Sequence, residues 1–277
     1  MRAARDDIRG FINLHPACVL VEVVDVKGSA PRDAGTWMLV SQEKIFRTIG
    51  GGQLEFMAID HAREILAGKT NQPMDVPLGP EIGQCCGGRV GLEFHLLDQP
   101  LTDRLIRRID AEIASRPQVF IFGAGHVGNA LAVAFSQTPV RVTLVDTRES
   151  ELLAIDIPGV EMRLVAMPEQ VVREAPSGSA FIILTHDHAL DFLITAEALQ
   201  RGDAAYIGMI GSKTKKASLK NWLKRELGEA SFVEKVTCPI GSSSLKDKRP
   251  EVIAALVTAE VLTAILARDP VNTGAQN

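Results

Sequence analysis

Aromatic rings are scarce in this 277-residue chain: ten Phe, two Trp and one Tyr make up 5% of it. Proteins that bind single-stranded nucleic acid stack bases on such rings along a basic groove. The formal net charge is −4. That balance gives no general attraction to nucleic acid or to an anionic membrane surface. No run of about 18 apolar residues occurs, so no bilayer-spanning helix is expected. The opening MRAARDDIRGFINLH has mixed charges and lacks the apolar core and cleavage site of a signal peptide. Only four cysteines are present (Cys18, Cys85, Cys86 and Cys238), and two of them are adjacent. They are too few and too awkwardly placed for a disulfide framework. A cytoplasmic protein without membrane or nucleic-acid partners is expected.

The length allows one large domain or two modest ones, and the 46% hydrophobic content suffices for a real core. The first ten residues read as helical. VLVEVVDV, TWMLVS and KIFRTIG then read as strands, followed by the helix QLEFMAIDHAREILAG and the strand RVGLEFHLL. After LTDRLIRRIDAEIAS, a charged helical connector, the rhythm becomes short apolar strands alternating with helices of ten or more residues. That is the mark of a parallel sheet. VFIFGAG, RVTLVDT, MRLVAM, AFIILTH and AAYIGMIG are its strands, with a possible sixth at FVEKVTC. The expected fold class is α/β: a small N-terminal α+β domain (1–98), a helical linker (99–117) and a C-terminal Rossmann-like parallel-sheet domain (118–277).

Gly123-Ala124-Gly125-His126-Val127-Gly128 follows a strand and opens a helix. Glycines there permit a tight turn, close approach of backbone to phosphate and close helix packing, while the helix start offers free N–H groups. Asp146 ends the next strand, where a carboxylate commonly meets ribose hydroxyls. Arg148, two residues on, could equally contact a phosphate. The alternative is a Rossmann-shaped domain that holds no dinucleotide. His126 is either a solvent-facing first-turn residue or a ligand contact.

Three further stretches carry chemistry. Gln84-Cys85-Cys86-Gly87-Gly88 sets two soft thiols beside two flexible glycines, suited to sulfur transfer or a soft metal, or else to a buried turn. His186, His188 and Asp191 of THDHALD follow an apolar strand at the edge where parallel sheets bind ligands. They could bind metal or move protons, or Asp187 or His188 could simply cap the next helix, with Asp191 favourable in its first turn. Gly211, Ser212 and Lys213 begin a glycine-and-lysine turn that could hold an anion, or a capped basic helix.

In order along the chain, GSAPRDAGTWMLV, IGGGQLE, LGPEIGQCCGGRVGLEF, IFGAGHVGNAL, VTLVDTR, THDHALD, YIGMIGSKTK and CPIG resemble the XdhC/CoxI family of molybdenum-enzyme accessory proteins. The likeness runs from about Val19 to the last helix. After CPIG the chain departs from the family, with Ser242-Ser243-Ser244-Leu245-Lys246 in place of an acidic loop. The resemblance implies a chaperone-like role, more than an enzymatic one. Such a protein binds molybdenum cofactor (molybdopterin), protects its sulfurated form and delivers it to apo xanthine dehydrogenase, alongside a cysteine desulfurase.

It also implies Cys86, then Cys85, as contacts for cofactor or sulfur, with Cys86, His186 and His188 as candidate metal contacts. The cofactor-binding set is then Cys85, Cys86, Gly87, Gly88, Gly123, Gly125, His126, Gly128, Asp146, His186, His188, Gly211, Ser212 and Lys213. A shielded cofactor suits a cleft between two domains, and a homodimer is expected. The rival reading is an NAD(P)-dependent oxidoreductase built on Gly123–Gly128 and Asp146. A third is a metal-dependent hydrolase using His126, His186 and His188.

Overall fold

A computed structural model describes residues 7–79, 87–241 and 247–266. Cys85, Cys86 and the Ser242–Lys246 stretch therefore lie outside the described residues. The chain forms two compact units that divide between Glu112 and Ile113.

In the first unit, helix α1 (Ile8–Leu14) precedes strands β1 (Val19–Lys27), β2 (Trp37–Val40) and β3 (Ile45–Arg47). Helix α2 (Gly52–Leu66), β4 (Met74–Pro77), β5 (Arg89–Leu96) and α3 (Gln99–Ser115) follow. The strands make one antiparallel sheet in the order β3-β2-β1-β5-β4. β1 buries Val19, Val21 and Val23, and α2 buries Leu54, Ala58, Ala62 and Ile65 at helical spacing in the same core. β4 has no strand signature in the sequence. It is a four-residue edge strand ending at Pro77, a residue that edges tolerate because it has no N–H to give.

The predicted charged connector is α3. Its salt bridges reach back within the first unit: Arg108 to Glu22 at 2.7 Å, Asp110 to Arg9 at 2.7 Å and Glu112 to Arg47 at 3.0 Å.

The second unit runs β6 (Gln118–Phe122), α4 (His126–Ser136), β7 (Arg141–Asp146), α5 (Glu149–Leu153), β8 (Val160–Leu164) and α6 (Pro168–Glu174). It continues with β9 (Ala180–Ile183), α7 (His188–Arg201), β10 (Tyr206–Met209), α8 (Lys213–Leu227) and α9 (Pro250–Leu266). All five strands are parallel, in the order β10-β9-β6-β7-β8. Alternation along β6 builds both cores. Val119 and Ile121 join Leu131, Phe135, Val257 and Val261 of α4 and α9 on one face. Phe120 and Phe122 join Val171, Ile194, Leu199, Leu219 and Leu223 of α6, α7 and α8 on the other. Each such large side chain contributes about 1.5–3 kcal/mol by leaving water. The strand order reverses between β6 and β9, and ligands of open α/β sheets bind at the carboxyl edge of that point.

The possible sixth strand is not one. FVEKVTC instead forms a short 3₁₀ helix over Ser231–Lys235, and Thr237 alone bridges to Gly208. Val233 and Val236 are buried three residues apart, the spacing of a 3₁₀ turn and not of a strand. Among the described residues no helix is long and apolar enough to cross a membrane.

Candidate ligand cleft of the second unit

At the carboxyl edge of the sheet a small cleft, with open space of about 10 Å³, is lined by Phe122, Gly123, Val145, Asp146, Thr147, Pro168, Thr185, His186 and Leu190. The three glycines of the β6–α4 turn do different work there. Gly123 has φ +117, and a Cβ on it would lie 2.3 Å from the Leu184 carbonyl oxygen. A Cβ on Gly128 would lie 1.8 Å from the Gly123 carbonyl oxygen, so the helix touches the turn backbone to backbone. Around Gly125 there is open space, with nothing within 4 Å of where a Cβ would stand. Gly125 is the N-cap of α4 and no side chain caps the helix, so its first N–H groups face outward with the positive end of the helix dipole.

Asp146 is 5% exposed and faces inward. Its carboxylate accepts from the N–H of Ala124 at 2.7 Å, which ties the end of β7 to the glycine turn. It also accepts from the Arg148 N–H at 2.9 Å, Nε at 3.0 Å and Nη2 at 3.0 Å. Burial works to raise its pKa, but the guanidinium and the two N–H groups outweigh burial and hold the carboxyl below the ordinary carboxylate value.

The THDHALD turn caps the next helix. Asp187 caps α7, accepting from the Ala189 N–H at 2.8 Å. His186 and His188 are exposed, and His186 lines the cleft. Asp191 does more than favour a helix start. It is fully buried, accepting from the Thr185 N–H at 2.9 Å, its hydroxyl at 2.7 Å and Lys215 Nζ at 2.5 Å. Lys215 thus reaches from α8 to brace the turn that carries His186.

The glycine-and-lysine turn is a capped basic helix. Ser212 accepts from the Lys215 N–H at 3.2 Å, and Lys213 is exposed. Lys216 donates to the Val236 carbonyl at 3.0 Å. Gly211 leaves room for the inward lysine, because a Cβ there would lie 2.8 Å from Lys215 Cδ. Nearby Cys238 is buried; burial pushes its thiol pKa up, while Lys215 and Lys216 pull it down.

His126 is exposed and lies along a separate groove between α4 and α9, beside Asn129, Val133, Pro250 and Glu251. Among the described residues no three His, Cys, Asp or Glu side chains form a group able to hold a metal ion. His126, His186 and His188 therefore do not converge as a hydrolase centre requires.

A model of the XdhC Rossmann domain matches residues 119–261, more than half of the chain, and a model of the XdhC and CoxI family matches residues 13–76. The chain belongs to the XdhC and CoxI family. It is 21% identical to the uncharacterized protein YqeB of Escherichia coli K12, over 88% of this chain and 42% of that protein. It is 28% identical to a protein of Bacillus subtilis named as a probable xanthine dehydrogenase subunit, over 58% of this chain and 46% of that one. The chain thus spans less than half the length of these curated relatives. A solved Bacillus halodurans structure, described as a xanthine dehydrogenase, superposes with a TM-score of 0.80 at 18% identity over 98% of each chain, which shows the shared fold.

The XdhC Rossmann match contains the glycine turn, Asp146, His186, Asp191 and Lys215. Gly87 and Gly88 lie between the two XdhC matches, in the first unit. A Cβ on Gly88 would lie 2.1 Å from the Ser29 carbonyl oxygen, so glycine is needed there for close backbone pairing. Gly87 has φ +67 and open space around it. In the other match, Gly50, Gly51 and Gly52 all take positive φ, and Glu55 accepts from the N–H groups of Ile49 at 3.0 Å and Gly51 at 3.2 Å. The residue-level reading gives that turn no role, and it enters the sequence analysis only as IGGGQLE in the family resemblance. Sequence reasoning also missed Lys215 as the partner of Asp191, a pairing that no local pattern encodes.

Proposed function

We propose that this XdhC-family protein is an accessory protein that binds molybdenum cofactor, protects its sulfurated form and hands it to apo xanthine dehydrogenase. The observation that carries the reading is the open backbone at Gly125 on the uncapped start of α4. Only there does the turn leave room for a phosphate, and molybdopterin ends in one. Family membership and the xanthine dehydrogenase names of two similar proteins support the same assignment. When bound, the cofactor supplies the molybdenum redox chemistry of the recipient enzyme. The chain's own residues bind and orient: the α4 N–H groups at the phosphate, and His186 along the cleft wall. Cys86, with Cys85 second, is the proposed contact for metal or sulfur, and a cysteine desulfurase is the sulfur source. The protein works in the cytoplasm as a homodimer.

The test is mass spectrometry of the small molecule released from protein made in cells that synthesise molybdopterin. Molybdopterin is expected from the unaltered chain, with retention reduced severalfold in Cys86→Ala. Unchanged retention in Cys86→Ala removes that thiol from the site, and no retained molybdopterin in any preparation overturns the reading.

A further inference from the structure

Nucleotide-binding Rossmann domains hold the ribose diol with a carboxylate at the end of the second strand, and that carboxylate must have acceptor sites to spare. In this chain the equivalent group is Asp146, and it has none. A carboxylate offers about four acceptor positions. Here they are taken by the N–H groups of Ala124 and Arg148 and by Nε and Nη2 of Arg148, in a bidentate fork. The fork is held from its other side by Glu151, which accepts from Arg148 Nη1 at 3.3 Å. The Asp146 side chain, which lines the cleft, is 3% exposed, and that of its partner Arg148 is 34% exposed.

We infer that Arg148 is a specificity residue that closes the cleft to nucleotides, because it occupies the carboxylate a ribose diol needs. The phosphate seated at the start of α4 then belongs to a ligand with no nucleoside beyond it, a phosphomonoester. A dinucleotide would have to break the fork to reach the carboxylate. This rests on the proposed reading of the cleft as the ligand site.

Titration of the full chain with NADH, followed by its fluorescence, tests the inference. The unaltered protein should show no saturation below millimolar NADH. Arg148→Ala leaves Asp146 holding only the two backbone N–H groups, and should bind NADH about tenfold more tightly or better. Arg148→Ala combined with Asp146→Asn should lose that gain. Arg148→Lys, which cannot form the fork, should show a smaller gain and serves if the alanine variant does not fold, as judged by circular dichroism. Unaltered protein that binds NADH as well as Arg148→Ala overturns the inference, as does a folded variant with no gain. Molybdopterin retention is measured on the same preparations. Its absence together with an NADH gain overturns the cofactor assignment and leaves the role of Arg148 standing; retention without the gain does the reverse.

Discussion

Two buried carboxylates organise the cleft edge, and each makes a prediction of its own. Asp146 is held below its ordinary pKa of 3.8 in the folded protein. A depressed folded value means that its contribution to stability is complete above the unfolded pKa and is lost as pH falls through the folded one. Urea midpoints should therefore drop as pH falls below about 4, and Asp146→Asn should flatten that part of the acid limb. Asp191 is fully buried and pairs with Lys215, whose side chain is 10% exposed. Removing one partner of such a pair strands the other, so Asp191→Asn should cost about 3 kcal/mol in urea unfolding. Asp191→Leu with Lys215→Met should recover most of that loss. The thiols Cys18 and Cys238 are both buried and unpaired, and burial pushes the Cys18 pKa up to about 11. Since the thiolate is the nucleophile, neither should react appreciably with iodoacetamide at pH 7 in the folded protein, as peptide mass mapping would show.

At the scale of the element, the β6–α4 turn separates folding from binding. Gly128→Ala forces a methyl group into the Gly123 carbonyl and should destabilise by about 3 kcal/mol or more, read as a lowered urea midpoint. Gly125 has φ −68, which any residue adopts, and open space beside it. Gly125→Ala should therefore stay within about 1 kcal/mol in stability while ligand retention falls, because the methyl group occupies the phosphate position. Two elements escaped sequence reading: β4, too short and proline-ended to carry a strand pattern, and α5, a helix of five residues. FVEKVTC reads as a possible strand, but of its residues only Thr237 bridges to the sheet.

For the whole molecule, the informative element is α3. Its sequence reads as a solvated connector, since it is rich in charge, yet several of those charges pair within the first unit and Leu105 and Ile109 are buried. A fragment of residues 1–115 should accordingly unfold at a higher urea concentration than one of residues 1–98, which loses those contacts. Surface pairs are each worth under about 1 kcal/mol, so much of the difference should come from the buried apolar residues. A midpoint equal in both fragments would assign α3 to a pure linker role.

The Rossmann half was legible in the sequence because its signals are local. A glycine-rich turn, period-two burial and helix caps each depend on residues a few positions apart. So Gly123, Gly125 and Gly128, the five parallel strands and the caps at Asp187 and Ser212 could be placed from the order of residues. What Asp146, Asp191 and Lys215 do was decided only by tertiary structure. Asp146 takes three of its four hydrogen bonds from Arg148, two residues on, but its tie to the glycine turn spans 22 residues to Ala124, and Asp191 meets Lys215 24 residues away. A carboxylate reads the same in sequence whether its oxygens are free or filled. Burial and partner count set what it can still bind, and those exist only once the sheet has closed over it.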